Sequence, residues 1–290
     1  SNTVQVGSRY EETNTRKIYH KVDNVTGSDV SLTGLNAYYK FDESSGNLLN
    51  KASDVGSTDA ITADGVNTGV TYSQSGIIDE SYLYNGSSAF TTVDPLHTST
   101  SNTGSIFFFW NATTFTAGRV PFGLGDTSAN EFIFMELSGT DKINVFCRLA
   151  GTTKWVVNCG SYSNPQGTWH SFGITHNGTT SILYRDGIAD TNFTTSTDTS
   201  IWVNDLPSLD NCRIGCINRN GTGNGDFFNG KVDELSYWSR ALTASEISTL
   251  HNSGNGKAIS SPINVVDGSI FYETDTNKSY VLSSNTWTEL

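Results

Sequence analysis

The stretch at residues 167–187, GTWHSFGITHNGTTSILYRDG, constrains this chain more than any other. Trp169, Phe172 and Ile174 lie in a strand-like run, Asn177-Gly178 offers a turn, and Ile182, Leu183 and Tyr184 form a return run that ends at Asp186-Gly187. Asn-Gly between two apolar runs is the strongest short-range hairpin signal, because both residues tolerate a positive φ. The composition extends that reading to the whole chain. Charged residues make up 16% and aromatics 11%, with 28 Gly but only 5 Pro and 1 Met. No long stretch is dominated by helix-favouring residues. The expectation is an all-β protein of many strands and polar turns, with enough of its 290 residues to bury a full core.

The net charge of −12 argues against a nucleic-acid groove, which needs clustered Lys and Arg, and against anionic membrane surfaces. No apolar run reaches the ~20 residues of a spanning helix, so membrane insertion is not expected. No signal peptide is visible, and the start at Ser1 without Met reads as a processed or trimmed end. Seven Asn-x-Ser/Thr sequons, at Asn24, Asn85, Asn111, Asn177, Asn192, Asn220 and Asn277, are a weak signal in a chain so rich in Asn, Ser and Thr.

Of the four cysteines, Cys147 closes INVFC and Cys159 closes WVVNC, on either side of a turn at 150–153. Placed opposite each other across a hairpin they would form a disulfide; the alternative is two buried thiols. Cys212 and Cys216, four apart, would be roughly 13 Å apart on one strand. No CxxC or nearby His pair suggests zinc.

Two segments at the ends of the chain repeat one another. GSRYEETNTRKIY at 7–19 and GSIFYETDTNKSY at 268–280 share Gly-Ser, an aromatic, Glu-Thr, Lys and Tyr at the same offsets. Each reads as a hairpin with its tip at Asn14-Thr15 or Asp275-Thr276. An isolated hairpin is marginal in water, so these must pack on the middle of the chain, on each other or on neighbouring subunits. The pattern, followed by Trp287, resembles a hairpin common in phage and virus structural proteins such as tail fibres. The expected organisation is a hairpin module at 1–30, a central domain at 31–257 and a second hairpin module at 258–290.

The central region resembles the laminin-G-like jelly rolls, relatives of concanavalin A and the pentraxins. The 167–187 stretch carries the first likeness. LNAYYKFDESSGN (35–47), YLYNGSSAFTTV (82–93), SIFFFWNATTF (105–115) and the closing segment 212–254 carry the rest. The resemblance implies a concanavalin A-like sandwich of two antiparallel sheets that binds sugars or proteins and rarely catalyses. One short helix is legible without it. Thr243 and Glu246 form a capping box, Ile247 and Leu250 make an apolar face, and Gly254 follows the end, giving a helix near 244–251. Apolar residues in 230–239 do not alternate strictly, which suggests a bulge, or burial on both faces, near Asp233-Glu234.

Catalytic signals are weak. Glu131 and Glu136, five apart on one strand, point to opposite faces and cannot flank one glycosidic bond. Asp233 and Glu234 are adjacent and also diverge. None of the five histidines pairs with a convincing nucleophile, and His170, inside the hairpin motif, reads as structural. The expectation is a non-enzyme. In pentraxins, calcium ligands come from an Asp-Asn pair that falls on Ala129-Asn130 here, and from an acidic cluster that falls on Ile217-Asn218-Arg219. The first Asp and the later acids are missing, so a pentraxin-type double calcium site is not expected. The same loops still offer Asp126, Asn130, Asn218, Arg219, Asn220, Asn224 and Asp226 for sugar hydroxyls or a protein partner. Asp42 and Glu43 are the candidate ligands for one structural Ca²⁺. The Trp side chains read as core.

These observations favour a non-enzymatic extracellular or virion-surface structural protein. Its lectin-like domain would attach to glycan, cell-surface or virion protein, and its termini would serve a homo-oligomer or larger assembly. A stand-alone secreted or cell-surface lectin or adhesin is the alternative. A glycan-degrading enzyme is a third reading, and it lacks a converging carboxylate pair.

Overall fold

Strands dominate the computed structural model, which describes residues 9–12, 17–20, 30–98, 100–128, 130–219, 221–260, 270–273, 278–283 and 286–289. The chain divides into two compact units, Val30–Ile259 and the two termini together, Ser1–Asp29 with Ser260–Leu290.

In the larger unit two eight-stranded antiparallel sheets lie on opposite sides of one core. In space, the first runs Asn192–Ser196, Thr152–Asn158, Lys142–Leu149, Phe132–Ser138, Phe122–Gly125, Asn211–Ile214, Phe90–Thr92 and Val66–Thr68. The second runs Ile188–Ala189, Ser181–Arg185, His170–His176, Gly104–Ala112, Asn229–Trp238, Glu80–Asn85 and Thr71–Ser75, with Leu35–Tyr39 also paired to Asn229–Trp238. This is the concanavalin A-like jelly-roll sandwich, with one α-helix among the described residues, Ala244–His251.

The strand Gly104–Ala112 explains the apolar run SIFFFW. Ile106, Phe108 and Trp110 enter the core between the sheets, whereas Phe107 and Phe109 pack outward under Ile247 and Leu250 of the helix. Both faces of the strand are covered, so the alternation of a half-exposed strand is absent. The helix starts as its capping box requires: Glu246 N–H donates to Thr243 Oγ1 at 3.2 Å and Thr243 N–H to Glu246 Oε2 at 2.9 Å. It ends at Asn252 in the left-handed region (φ 49°), two residues before Gly254.

The expected hairpin forms as His170–His176/Ser181–Arg185, with Phe172 opposite Arg185 and Ile174 opposite Leu183. Its turn differs from the expectation. Only Gly178 takes a positive φ (88°), while Asn177 Oδ1 accepts the Thr179 and Thr180 amides, both at 3.0 Å. The asparagine caps a longer loop instead of entering the left-handed region itself. His170 serves the same hairpin: its Nδ1 lies 3.0 Å from Asp186 Oδ2, and Asp186 Oδ1 accepts the Ser171 amide at 3.0 Å.

The Cys147–Cys159 disulfide is not formed; all four cysteines are buried free thiols. Ala150 and Gly151 both adopt positive φ (49° and 76°), so the turn between the strands has two residues, not four, and a bulge follows at Cys147/Arg148. Cys147 therefore lies opposite Trp155, and Cys159 Sγ accepts the Ile143 amide at 3.3 Å, four residues further along the ladder. Burial also raises both thiols above their ordinary value, Cys159 to about 11.

The termini form a unit of their own. Arg9–Glu12 pairs with Lys17–His20, Ile270–Glu273 with Lys278–Ser283, and a further strand, Thr286–Glu289, joins the latter. The two hairpins meet through Tyr10 opposite Phe271, giving one five-stranded antiparallel sheet. The hairpin tips at Asn14-Thr15 and Asp275-Thr276 lie outside the described residues.

Candidate functional site

The strand Phe132–Ser138 alternates sharply. Ile133, Met135 and Leu137 point into the core, while Phe132 and Phe134 belong to a separate apolar cluster on the far side of the sheet, with Ile217 and Val120. The register sets Arg148 opposite Phe132, Phe146 opposite Phe134 and Asn144 opposite Glu136 on the neighbouring strand. On the other side, Phe132 and Phe134 face Gly125 and Gly123. These two glycines leave a gap in the outward side-chain layer, and the hairpin of Ile217–Asn218 and Asn224–Gly225 lies in it. A Cβ on Gly125 would stand 2.0 Å from the Asn218 carbonyl oxygen, and one on Gly123 2.4 Å from Ile217 Cδ1. The glycines here admit a close backbone approach.

The hairpin brings the expected rim together. Gly221 N–H donates to Thr127 O at 2.7 Å, which ties the 126–130 loop to the 217–226 loop, and Asn211 Nδ2 donates to Asn218 O at 3.1 Å. A cavity of about 510 Å³ opens between them, with Asn130, Phe132, Arg148, Arg219, Thr222 and Asp226 on its wall. Arg219 stands over both phenyl rings, 4.4 Å from the Phe134 centroid and 5.0 Å from that of Phe132, and pairs with Asp226 at 3.1 Å. Arg148 lies 5.8 Å from the Phe132 centroid, and its Nη2 donates to Gly151 O at 2.6 Å. The rings, 5% and 3% exposed, carry the guanidinium groups and offer no open face to a sugar ring. Glu136 flanks this arrangement, with burial raising its carboxyl and Arg219 opposing that rise.

Of the residues singled out in sequence, Asn130, Arg219 and Asp226 line the cavity. Asn224 Oδ1 accepts from Arg213 Nε at 3.4 Å, Asn218 lies in the hairpin strand, and Asp126 is fully buried, its Oδ1 accepting the Ser128 amide at 2.8 Å. Asn220 lies outside the described residues. Phe132, Phe134 and Arg148 were missed. Their signal is the period-two pattern of NEFIFMEL set against the Arg148 strand. Asp42 and Glu43 each take protein partners. Asp42 pairs with Lys40 at 2.8 Å and accepts the Glu80 amide at 3.1 Å, whereas Glu43 accepts from Leu49 N–H and the Tyr82 hydroxyl. A metal at this turn would have to displace those donors. Among the described residues no group of three or more His, Cys, Asp or Glu is arranged to hold a metal ion.

Residues 85–248 match the family Laminin_G_3, the Concanavalin A-like lectin/glucanases superfamily. The chain belongs to this family. No curated protein sequence matches it. Among solved structures, the concanavalin A-like unit is similar to domain 4 of AbnA, a GH43 extracellular arabinanase from Geobacillus stearothermophilus solved with arabinotriose. The identity is 18% and the TM-score 0.53, over 74% of this chain and 97% of that one. The Trypanosoma rangeli sialidase in complex with the inhibitor DANA matches at 14% identity and TM-score 0.56, over 82% of this chain and 36% of that one. The K499G mutant of NanB sialidase from Streptococcus pneumoniae matches at 17% and 0.50, over 69% and 33%. This chain thus spans about a third of either sialidase, and at such identities the likeness is one of fold.

The concanavalin A-like unit also contains a serine–histidine contact that the sequence did not reveal: Ser171 Oγ lies 2.9 Å from His251 Nδ1. Ser171 is fully buried beneath the helix end. Glu131 and Glu136 diverge as expected. Glu131, 5% exposed, accepts the Ser208 amide at 3.0 Å, while Glu136 lies beside Phe134 on the outward face. A bulge occurs at Asp233–Ser236, with Glu234 at φ 52°. Asp233 Oδ2 there accepts the amides of Ile77 (2.9 Å) and Ile78 (3.2 Å), and Glu234 accepts from the Tyr38 hydroxyl. No helix among the described residues is long and apolar enough to cross a membrane.

Proposed function

We propose that this chain is a non-catalytic, extracellular glycan-binding protein of a virion or cell surface, with the Arg148/Arg219 cavity as its sugar site. The observation that carries the reading is the cavity itself. A hairpin closes one wall, two guanidinium groups stand over phenyl rings, and Asn130, Thr222 and Asp226 add amide, hydroxyl and carboxylate groups of the kind that bind sugar hydroxyls. The arabinotriose held by the AbnA domain of the same fold supports a sugar as the ligand class. Non-catalysis is supported by the divergence of Glu131 from Glu136 and by the burial of Ser171. On a glycan array at physiological salt the wild type is expected to retain a glycan, and Arg219→Ala to lose at least about tenfold in affinity. A chelator should leave the binding unchanged. Equal binding by Arg219→Ala, or release of reducing sugar from a polysaccharide by the wild type, would count against this reading.

The sheet built from both termini is, in the same reading, the assembly element. Its edge strands, Lys17–His20 and Thr286–Glu289, each pair on one side only among the described residues, and an open edge templates pairing with another chain. Light scattering is expected to give the intact chain a multiple of 31.4 kDa, and to give residues 30–259 alone a single copy's mass. A monomeric intact chain would sink the assembly role.

A further inference from the structure

We infer that the cavity's ligand carries a carboxylate, and that Arg148 is the group that reads it; this rests on the sugar-binding reading above. The two arginines on the wall are not equivalent. Arg219 has its counter-charge within the chain, Asp226 at 3.1 Å. Arg148 has no carboxylate partner among the described residues, and only its Nη2 is engaged, by the Gly151 carbonyl. Its Nε–H is buried with no hydrogen-bond partner. An orphaned buried donor is costly, more so when it is charged. The Phe132 ring beneath this guanidinium offers it a π face and no counter-charge. A counter-charge for the guanidinium is left to a ligand in the cavity that Arg148 lines.

The charge on the wall points the same way. Arg219 has Asp226 as its partner and Glu136 beside it, which leaves Arg148 as the isolated positive charge on the wall, in a chain of net charge −12. Such an island attracts an anion and is at odds with the solubility role of the remaining surface. A guanidinium presents its donors as a planar fork, the geometry of a carboxylate. Sugar hydroxyls then fall to Asn130, Thr222 and Asp226. The ligand class is a sugar acid, such as a uronic or sialic acid residue in a glycan.

Matched probes decide the point. Oligosaccharides ending in glucuronate, galacturonate and sialate, each as the free acid and as its methyl ester, are titrated calorimetrically into the intact protein beside neutral and sulfated oligosaccharides. At least one free acid is expected to bind about tenfold or more tighter than its ester, with affinity falling as salt rises. Arg148→Gln should remove the acid–ester difference, and Arg148→Lys, which keeps the charge but loses the fork, should restore only part of it. Acid and ester binding alike, neutral sugars binding as well as any acid, or sulfated sugars binding best would each overturn the carboxylate assignment while leaving a sugar site. No binding by any probe would overturn the sugar site and this inference with it. The wild-type acid–ester comparison holds even if an Arg148 variant folds poorly.

Discussion

Gly125→Ala should abolish ligand binding at the Arg148/Arg219 cavity while leaving the sandwich folded. The added Cβ would stand 2.0 Å from the Asn218 carbonyl oxygen, a backbone atom that cannot rotate away. The Ile217–Asn218 strand must then lift from the sheet. With it would go the burial of Ile217, the Gly221–Thr127 and Asn211–Asn218 hydrogen bonds and the seat of Arg219 over Phe134. The loss is about 2–3 kcal/mol of stability, a fall of about 5–10 °C in Tm for a unit of this size. Far-UV circular dichroism should still report the sheets, since Leu124 and the core strands around it are untouched. Gly123→Ala is the graded comparison. Its Cβ meets Ile217 Cδ1, the end of a flexible side chain, so a rotamer change relieves part of the clash. Binding by Gly125→Ala at wild-type affinity, with an unchanged Tm, would show that the hairpin does not depend on the bare backbone at this position.

Those two glycines show where the sequence was legible and where it was not. FGLG reads as a weak strand, and nothing local says that another hairpin will lie on it; that fact is spread over the 90-odd residues between Gly125 and Asn218. Features set within a few residues of each other were read correctly: the capping box of Thr243 and Glu246, the 170–185 hairpin, and the irregularity at Asp233-Glu234. The rim came from family likeness and was right about proximity, since Thr127 and Gly221 share a hydrogen bond. It did not foresee that Asp126 turns inward to cap Ser128. The Cys147–Cys159 expectation failed on register. A four-residue turn at 150–153 would already set Cys147 opposite Val156; the two-residue turn and one bulge set it opposite Trp155, four positions from Cys159, and no property of either cysteine reports turn length. The cavity's aromatic floor was visible as alternation in NEFIFMEL, but attention to its acids hid its phenylalanines.

The pair at the bulge gives the protein a stability that falls as pH rises. Burial first, and then the neighbouring Glu234 carboxyl, pushes Asp233 up to about 9, against the pull of the Ile77 and Ile78 amides. Burial likewise pushes Glu234 up to about 8. In the unfolded chain both ionise near pH 4. Between about pH 4 and pH 8–9 the folded state therefore holds protons that the unfolded state has released. The linkage relation then gives a falling stability: the contribution is complete below pH 4 and lost as pH rises through the folded values, at up to about 1.4 kcal/mol per pH unit for each carboxyl. At these two carboxyls acid protects the fold, the reverse of the usual carboxylate case, while His176 and His251, lowered by burial, act the other way. The wild-type Tm should drop by about 10 °C or more from pH 5 to pH 8. Asp233→Asn keeps an oxygen for the two amides and removes the ionisation, and Glu234→Gln keeps an acceptor for Tyr38. Each variant should flatten the slope and be more stable than wild type at pH 8, and together they should remove most of it. Calorimetric scans at half-unit pH steps test this. Wild-type and Asp233→Asn curves that run parallel would mean that Asp233 is already ionised in the fold, and that the loop at 77–78 holds a carboxylate with its charge intact.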